Sequence, residues 1–382
     1  MLEAHQLTGK PFEITHMTKE MAGRKAEWHN LLARLESAFK GNSCKFIVLV
    51  GDYGYGKTFT VERLYSRFKT RDLEFTDTLV VRTTLTGAPI RASPTESVKA
   101  RFGIEFVNRI FANIGPSDLH DIAVKTKVDR HSVSEMMVRI LEDLGKNAKV
   151  GFKILAGMEI DSSELRGTGL RPIRDASTAL SCLYDFQMVL KKAGYNNLLV
   201  ILDEFEYIMH FSPSRITAIL NTLREIFDNY GILESRDPGR RAKIVFLFAI
   251  SPGGWDALRD LEASAVRRTG GGGIAPFVRR VSAIDVITLL PLNPDQIVEL
   301  LKLRLSEHRK SKVPNPLHPF TREAAYLIGE ISEGVPSRAL DYAGIVLEVA
   351  SERGLDRIDV ADVRKILGEL NLYHEKRRRR KR

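Results

Sequence analysis

The run Gly51-Asp52-Tyr53-Gly54-Tyr55-Gly56-Lys57-Thr58 stands between an apolar stretch, Phe46-Ile47-Val48-Leu49-Val50, and a segment in which Val61, Leu64, Tyr65 and Phe68 recur at helical spacing. No other feature constrains the fold as strongly as this order of strand, glycine-rich turn and helix. Consecutive backbone N–H groups can wrap a polyphosphate only where glycines at the turn points remove Cβ clashes, and Gly51 and Gly56 are expected at those points. Lys57 then reaches the β- and γ-phosphates as a point charge. The Thr58 hydroxyl ligates Mg2+, and both groups stand at the positive end of the following helix. Asp52, Tyr53, Gly54, Tyr55 and Phe59 complete the expected ATP contact. The pattern arises by chance in roughly one chain in a hundred of this length, and its flanking strand and helix make a coincidental turn rarer still.

At 382 residues with 43% hydrophobic content, the chain can bury a sizeable core and is expected to form two units. No apolar run is long enough to cross a bilayer. Met1–Arg24 lacks the apolar centre of a signal peptide, so a cytoplasmic protein of the prokaryotic cytosol or nucleoid, with no membrane partner, is expected. Cys44 and Cys182 lie far apart in patterned segments and read as reduced, buried thiols, and the nine histidines show no zinc-ligand spacing. The basic run Lys376, Arg377, Arg378, Arg379, Arg380, Lys381 and Arg382 supplies seven of the ten net positive charges. Basicity is therefore mostly a property of this tail, which reads as disordered and as suited to phosphate contact, to a localisation signal or simply to solubility.

Four regions follow from the patterning: a lead-in segment and helix over 1–40, an α/β core over 41–292 with an insertion at 84–175, a helical lid over 293–370, and the tail over 371–382. Trp28, Leu31, Leu32, Leu35 and Phe39 predict the lead-in helix, and Thr78–Thr83 a second strand. From Thr84 to the next clear strand, Leu198–Leu202, the distance far exceeds the ~30 residues of a simple crossover. Within it, Ser93–Glu96 reads as a capping box opening a helix through Phe106 and Ile110. Ser132 with Glu135 opens another, Lys149–Ile160 reads as a hairpin, and Ala176–Lys192 returns to helical spacing. The insertion reads either as cover for the sheet edge or as a contact surface for a partner or nucleic acid.

The run Leu198-Leu199-Val200-Ile201-Leu202 is apolar enough for a strand covered on both faces, and it ends in Asp203-Glu204. Ligands sit at the carboxyl ends of strands in such sheets. Asp203 is therefore expected to hold the Mg2+ shell through water, and Glu204 to orient the water that attacks the γ-phosphate. Glu206 is a weaker candidate for this role and reads rather as solvent-facing. After another buried strand, Ile244–Ile250, Ser251 either bonds the γ-phosphate or attacking water or simply starts a loop. Trp255–Ile274 reads as a long polar connection made mobile by its glycine run, and its Arg267 and Arg268 are candidate nucleic-acid contacts along with the tail. Arg279 and Arg280, before an expected strand at Ala283–Leu289, are candidates to project into a neighbouring subunit's nucleotide. Capped helices beginning near Asn293, Thr321, Pro336 and Asp359 make the lid, and Arg338 lies in a first helical turn from which it can reach phosphates.

Together these residues resemble the AAA+ ATPases. Within them they are similar to the initiator-like group of archaeal and eukaryotic origin-recognition ATPases and TnsC-type transposition regulators. The likeness spans most of Pro11–Leu367 and rests on Pro11-Phe12, Gly23-Arg24, the Gly51–Thr58 loop, Asp203-Glu204, Ser251, the arginines before Ala283, Leu290-Pro291-Leu292 and Gly334-Val335-Pro336-Ser337-Arg338-Ala339-Leu340. BREX-type defence ATPases and STAND signalling ATPases are also similar. The resemblance implies a P-loop NTPase with a parallel-sheet α/β core and a C-terminal all-helical lid, ATP hydrolysis with Mg2+, and a homo-oligomer with ATP bridging two subunits. By the same resemblance Ser251 is the polar sensor, Arg338 the lid sensor, and Arg279 or Arg280 the finger acting in trans. Origin-recognition ATPases carry a winged-helix DNA-binding domain after the lid, and Gly368–Arg382 are too few for one. The expected function is an ATP-driven switch or remodeller acting on DNA or on a DNA-bound partner in replication, transposition or defence. Its alternative is a nucleotide-gated protein scaffold in defence or signalling with little DNA contact.

Overall fold

The computed structural model describes residues 7–14, 18, 20–41, 43–86, 98–126, 132–146, 149–269, 277–311 and 313–372. The chain divides into two compact units. One comprises Asn30–Val50 and Thr60–Thr288, and the other Met1–His29, Gly51–Phe59 and Leu289–Arg382.

The first unit is built on β1 (Lys45–Gly51), which follows α1 (Lys25–Lys40) and leads by way of the glycine loop into α2 (Lys57–Lys69) and β2 (Thr78–Thr84). With β3 (Asn197–Asp203), β4 (Lys243–Ile250) and β5 (Val286–Leu289) these strands form one sheet in the order β2-β3-β4-β1-β5. β2, β3, β4 and β1 pair in parallel, with Thr84 opposite Asp203, Leu202 opposite Phe248 and Val50 opposite Ile250. Leu198–Leu202 and Ile244–Ile250 are fully buried, as central strands covered on both faces require. Each such side chain removed from water stabilises the fold by ~1.5–3 kcal/mol. An aromatic cluster of Phe46, Phe205, Phe246, Phe248 and Phe277 fills one side, with Phe205 and Phe248 centroids 4.7 Å apart. Cys44 and Cys182 are buried free thiols. Burial raises both above the usual thiol range, Cys182 to about 12, which keeps them protonated and unreactive.

Among the described residues, the elements between β2 and β3 are all helices: α3 (Val98–Ile114), α4 (Pro116–Lys125), α5 (Glu135–Gly145), α6 (Val150–Ala156), α7 (Ser162–Leu165) and α8 (Ala176–Lys192). α3 packs on β2, α6 and α8, and Phe106, Ile110, Met137, Ile140 and Ile154 join the same core as the sheet. The expected hairpin at Lys149–Ile160 is therefore corrected to the helix α6. Gly151, Ile154 and Leu155 are buried at helical spacing, the Asp143 carboxylate accepts from Gly151 N–H at 2.7 Å, and Gly157 closes the turn at φ 65°. Alternation over so few residues fits either element, and tertiary packing chose the helix. The cap of α5 is Ser134, whose hydroxyl accepts from Met137 N–H at 3.3 Å, rather than Ser132. The capping box read at Ser93–Glu96 lies outside the described residues.

After β3, a 3-10 turn over Phe205–His210 leads into α9 (Pro213–Arg236), and β4 leads directly into α10 (Pro252–Thr269). The polar connection expected over Trp255–Ile274 is thus mostly helix. Trp255, Leu258 and Glu262 turn one face inward, and polar residues on the other face mask the period. The glycine run at 270–273 lies outside the described residues. The expected strand at Ala283–Leu289 shortens to β5, because Ala283–Asp285 forms a 3-10 turn with Asp285 buried.

The second unit holds α11 (Pro294–Glu307), α12 (Arg322–Ile331), α13 (Pro336–Glu352) and α14 (Val360–Glu369), packed around Ile297, Leu301, Ile328, Ala343, Val346 and Ile366. Asn293 and Gln296 cap α11 reciprocally at 2.9 and 2.8 Å, and Thr321 caps α12 through Ala324 N–H at 3.1 Å. Leu7 and Phe12 belong to this helical core, Phe12 meeting Phe320 edge-on at 5.9 Å. The buried Arg304 donates to the Glu13 carbonyl at 3.3 Å. No helix among the described residues is long and apolar enough to cross a membrane.

Candidate nucleotide site

In the glycine loop, the positions that need left-handed backbone are Gly54 at φ 80° and Gly56 at φ 91°. Gly51 instead ends β1, and its need for glycine is one of space. A Cβ there would lie 3.1 Å from Leu289 Cβ and 3.3 Å from Lys57 Cγ. The expectation that Gly51 is a turn point is corrected accordingly. Lys57 opens α2, and its ammonium donates to the carbonyl of Gly51 at 2.7 Å and of Asp52 at 3.4 Å. A polyphosphate oxygen would compete for the same donors. The Asp52 carboxylate accepts from Tyr53 N–H at 2.8 Å, Tyr53 itself is 92% exposed, and Thr58 is exposed on the first turn of α2. Tyr55 and Phe59 are half-buried.

Two contacts hold this loop, from residues that the resemblance named without assigning them a role. Ser337 N–H, in the first turn of α13, donates to the Gly54 carbonyl at 3.2 Å. The buried Arg24 donates to the Tyr55 carbonyl at 3.1 Å and pairs with Glu27 at 2.9 Å. Arg338 follows Ser337 on the same turn and pairs with Glu333 at 3.1 Å. Both partners are well exposed, so that pair is weak and exchangeable. Gly334, at φ 73°, lets the chain enter α13, since a Cβ there would sit 2.1 Å from the Leu292 carbonyl oxygen.

These contacts carry a test. Gly54→Ala sets a Cβ 2.2 Å from Ser337 Oγ in an already left-handed backbone, whereas Gly56→Ala meets nothing within 4 Å. In stability, Gly56→Ala is expected to cost only the left-handed penalty of ~1–2 kcal/mol. Gly54→Ala should cost more, and both variants should weaken nucleotide binding. Thermal melting with nucleotide titration of both variants checks the order.

At the carboxyl edge of the sheet, Asp203 is 2% exposed, and both its carboxylate oxygens are engaged. Oδ2 accepts from Arg82 Nη2 at 2.9 Å and Oδ1 from Glu204 N–H at 3.0 Å. Arg82 also pairs with Glu62. Glu204 is exposed and left-handed at φ 52°, ψ 41°, between buried Asp203 and buried Phe205. A non-glycine residue there is strained by ~1–2 kcal/mol, and such strain gathers at functional positions. Glu206 is not solvent-facing as expected: it is half-buried, and its Oε2 is buried with no hydrogen-bond partner among the described residues. Ser251, just after β4, the strand next to β3, accepts from Gly254 N–H at 3.2 Å and so caps α10. Its hydroxyl proton remains available for donation.

The remaining arginines separate. Arg280 is held by Asp228 through three bonds of 2.8 to 3.0 Å and is only 17% exposed, so its guanidinium is committed within the chain. Arg279, beside it, is exposed. Arg267 and Arg268 lie in the last turns of α10, and their side chains fall outside the described residues, as does all of Lys376–Arg382.

Among solved structures, the chain is similar to the ORC2 protein of Aeropyrum pernix in its ADPNP–ADP complexes, at 17% identity and a TM-score of 0.53, over 94% of this chain and 71% of that one. It is also similar to Cdc6p from Pyrobaculum aerophilum, at 16% identity, a TM-score of 0.48 and coverage of 94% and 70%. A further similarity is to the Aeropyrum pernix ORC1 protein in complex with DNA, at 14% identity, a TM-score of 0.46 and coverage of 94% and 68%. At these identities the likeness is one of fold, carried by the first. Comparison with curated proteins found no match. A family model described as an AAA domain matches residues 40–258, which is more than half of the chain and runs from β1 past Ser251, and the chain belongs to that family.

Proposed function

We propose that this chain binds and hydrolyses ATP with Mg2+ and uses the cycle as an oligomerising switch or remodeller acting on DNA or on a DNA-bound partner in the cytosol or nucleoid. The edge of the sheet carries the reading. β1 runs into a glycine loop ending in Lys57, and two strands away β3 ends in buried Asp203 and exposed Glu204. That the ORC2 protein of similar fold is described with ADPNP and ADP supports a nucleotide of this class.

Thr58 and Asp203 offer hydroxyl and carboxylate oxygens, the hard donors that Mg2+ takes alongside phosphate oxygens and water. Bound there, the ion would neutralise charge on the phosphates during transfer. Lys57 exchanges its loop carbonyls for phosphate oxygens. Glu204, outside the buried layer, orients the attacking water, and the Ser251 hydroxyl donates toward the γ-phosphate or that water. Arg338 leaves Glu333 for the phosphates, while Arg279 is the exposed candidate for a neighbouring subunit's nucleotide. Arg267, Arg268 and the tail contact phosphates of nucleic acid.

Steady-state ATP turnover measured with and without duplex DNA tests this. Turnover that rises with DNA is expected, and turnover indifferent to DNA, with no DNA retained, supports the nucleotide-gated scaffold for a protein partner. If the tail contacts duplex phosphates, deleting Lys376–Arg382 flattens the plot of log affinity against log salt by a slope of ~6. An unchanged slope removes the tail from the interface.

A further inference from the structure

Arg82 reaches from β2 to the end of the neighbouring strand and joins two carboxylates, Asp203 at the end of β3 and Glu62 on α2. Glu62 lies one helical turn after Thr58 and therefore on the same face of α2. Asp203 is 2% exposed, so its charge must be met by something other than water. The guanidinium is itself only partly satisfied: its Nε is buried with no hydrogen-bond partner among the described residues. We propose that Arg82 is a positioning residue for Asp203, a built-in counter-charge that makes divalent-ion binding at this carboxylate conditional on the nucleotide. The proposal rests on the reading of Asp203 as the acid on the magnesium side of an ATP site.

The reason is competition at one oxygen. A divalent ion or its bound water needs the Asp203 lone pairs that Arg82 already occupies, and two cations at one carboxylate repel. Without nucleotide the guanidinium holds the position and the ion stays in solution. A polyphosphate brings further negative charge, and the ion and Arg82 can then share the two carboxylates, with Glu62 taking more of the guanidinium. Nucleotide and metal thus bind as a coupled pair, each raising the affinity for the other by the same factor. A guanidinium serving only to stitch β2 to β3 would have no such effect on metal affinity.

The experiment is a Mn2+ titration of the full chain followed by electron paramagnetic resonance, first without nucleotide and then with a non-hydrolysable ATP analogue. The native chain is expected to take up Mn2+ only with the analogue. Arg82→Met should bind Mn2+ without nucleotide at least ~tenfold more tightly than the native chain, Arg82→Lys should largely restore native behaviour, and Arg82→Met combined with Asp203→Asn should lose the gain. A folded Arg82→Met with no gain, or a gain that survives Asp203→Asn, overturns the proposal. Should Arg82→Met fail to fold, Glu62→Gln decides, since that side chain is partly exposed and the change leaves Arg82 to Asp203 alone. It is expected to raise several-fold the Mn2+ needed with the analogue, and an unchanged requirement overturns the proposal. If the native chain takes up no Mn2+ even with the analogue, the ATPase reading fails, while the nucleotide-free arm still reports on Arg82 and Asp203.

Discussion

Glu204→Gln is expected to lower ATP turnover by ~10²–10⁴-fold, the range for loss of a positioned general base, while ATP binding is retained. Glu204 stands exposed in a left-handed conformation, directly after the buried Asp203 and before the buried Phe205. Among the described residues its carboxylate has no hydrogen-bond or ion-pair partner, so removing the charge breaks no contact that holds the fold. Glutamine keeps the size and the backbone cost of glutamate, so melting temperature should be unchanged and loss of turnover can be assigned to chemistry. Glu204→Gly supplies the complementary reading. It relieves the left-handed strain and should stabilise the chain by ~1 kcal/mol while abolishing turnover, which would show that the strain is kept for function. A Glu204→Gln protein that hydrolyses ATP at the native rate removes Glu204 from the mechanism.

Lys57→Ala is expected to act one step earlier, on binding. The Lys57 ammonium is held against the Gly51 and Asp52 carbonyls at the start of α2, where the helix dipole also favours an anion. A charge-assisted bond of this kind contributes ~1.5–3 kcal/mol, so its loss should weaken ATP affinity by ~10–10²-fold and turnover with it. Calorimetric titration with the non-hydrolysable analogue measures the first effect apart from the second. Unaltered affinity would show that the loop does not bind the phosphates through Lys57. The two variants separate two failures, since one keeps binding without turnover and the other loses both.

The sequence was most legible where local chemistry and tertiary demand agree. Continuous apolar runs at Phe46–Val50, Leu198–Leu202 and Ile244–Ile250 could be satisfied only as central strands, and they are. The helices of the second unit announced themselves through Asn293, Thr321 and Asp359, whose side chains cap the N–H groups a helix start leaves open. Short or one-sided segments were not legible. Val150-Gly151-Phe152-Lys153-Ile154 alternates like a strand yet forms α6, because packing of Gly151 and Ile154 against neighbouring helices outweighs a five-residue pattern. Most of Trp255–Ile274 is α10 for the same reason.

For the candidate site, the residue types and their order were written in the chain: a glycine loop closing on Lys57 and Thr58, and a strand ending in Asp203 and Glu204. These are local signals, because a phosphate cradle and a strand-end acid each need only a few consecutive residues. The pairings that set what each group can do were not written there. Arg82 meets Asp203 from 121 positions away, Arg280 is captured by Asp228, and Arg24 and Ser337 grip the loop from opposite ends of the chain. Such contacts depend on strand order and helix packing, which bring together side chains whose spacing in the sequence carries no period. Gly51 through Thr58 therefore announced a phosphate loop without its neighbours, and folding supplied the left-handed turns at Gly54 and Gly56 and the counter-charge on the acid at the end of β3.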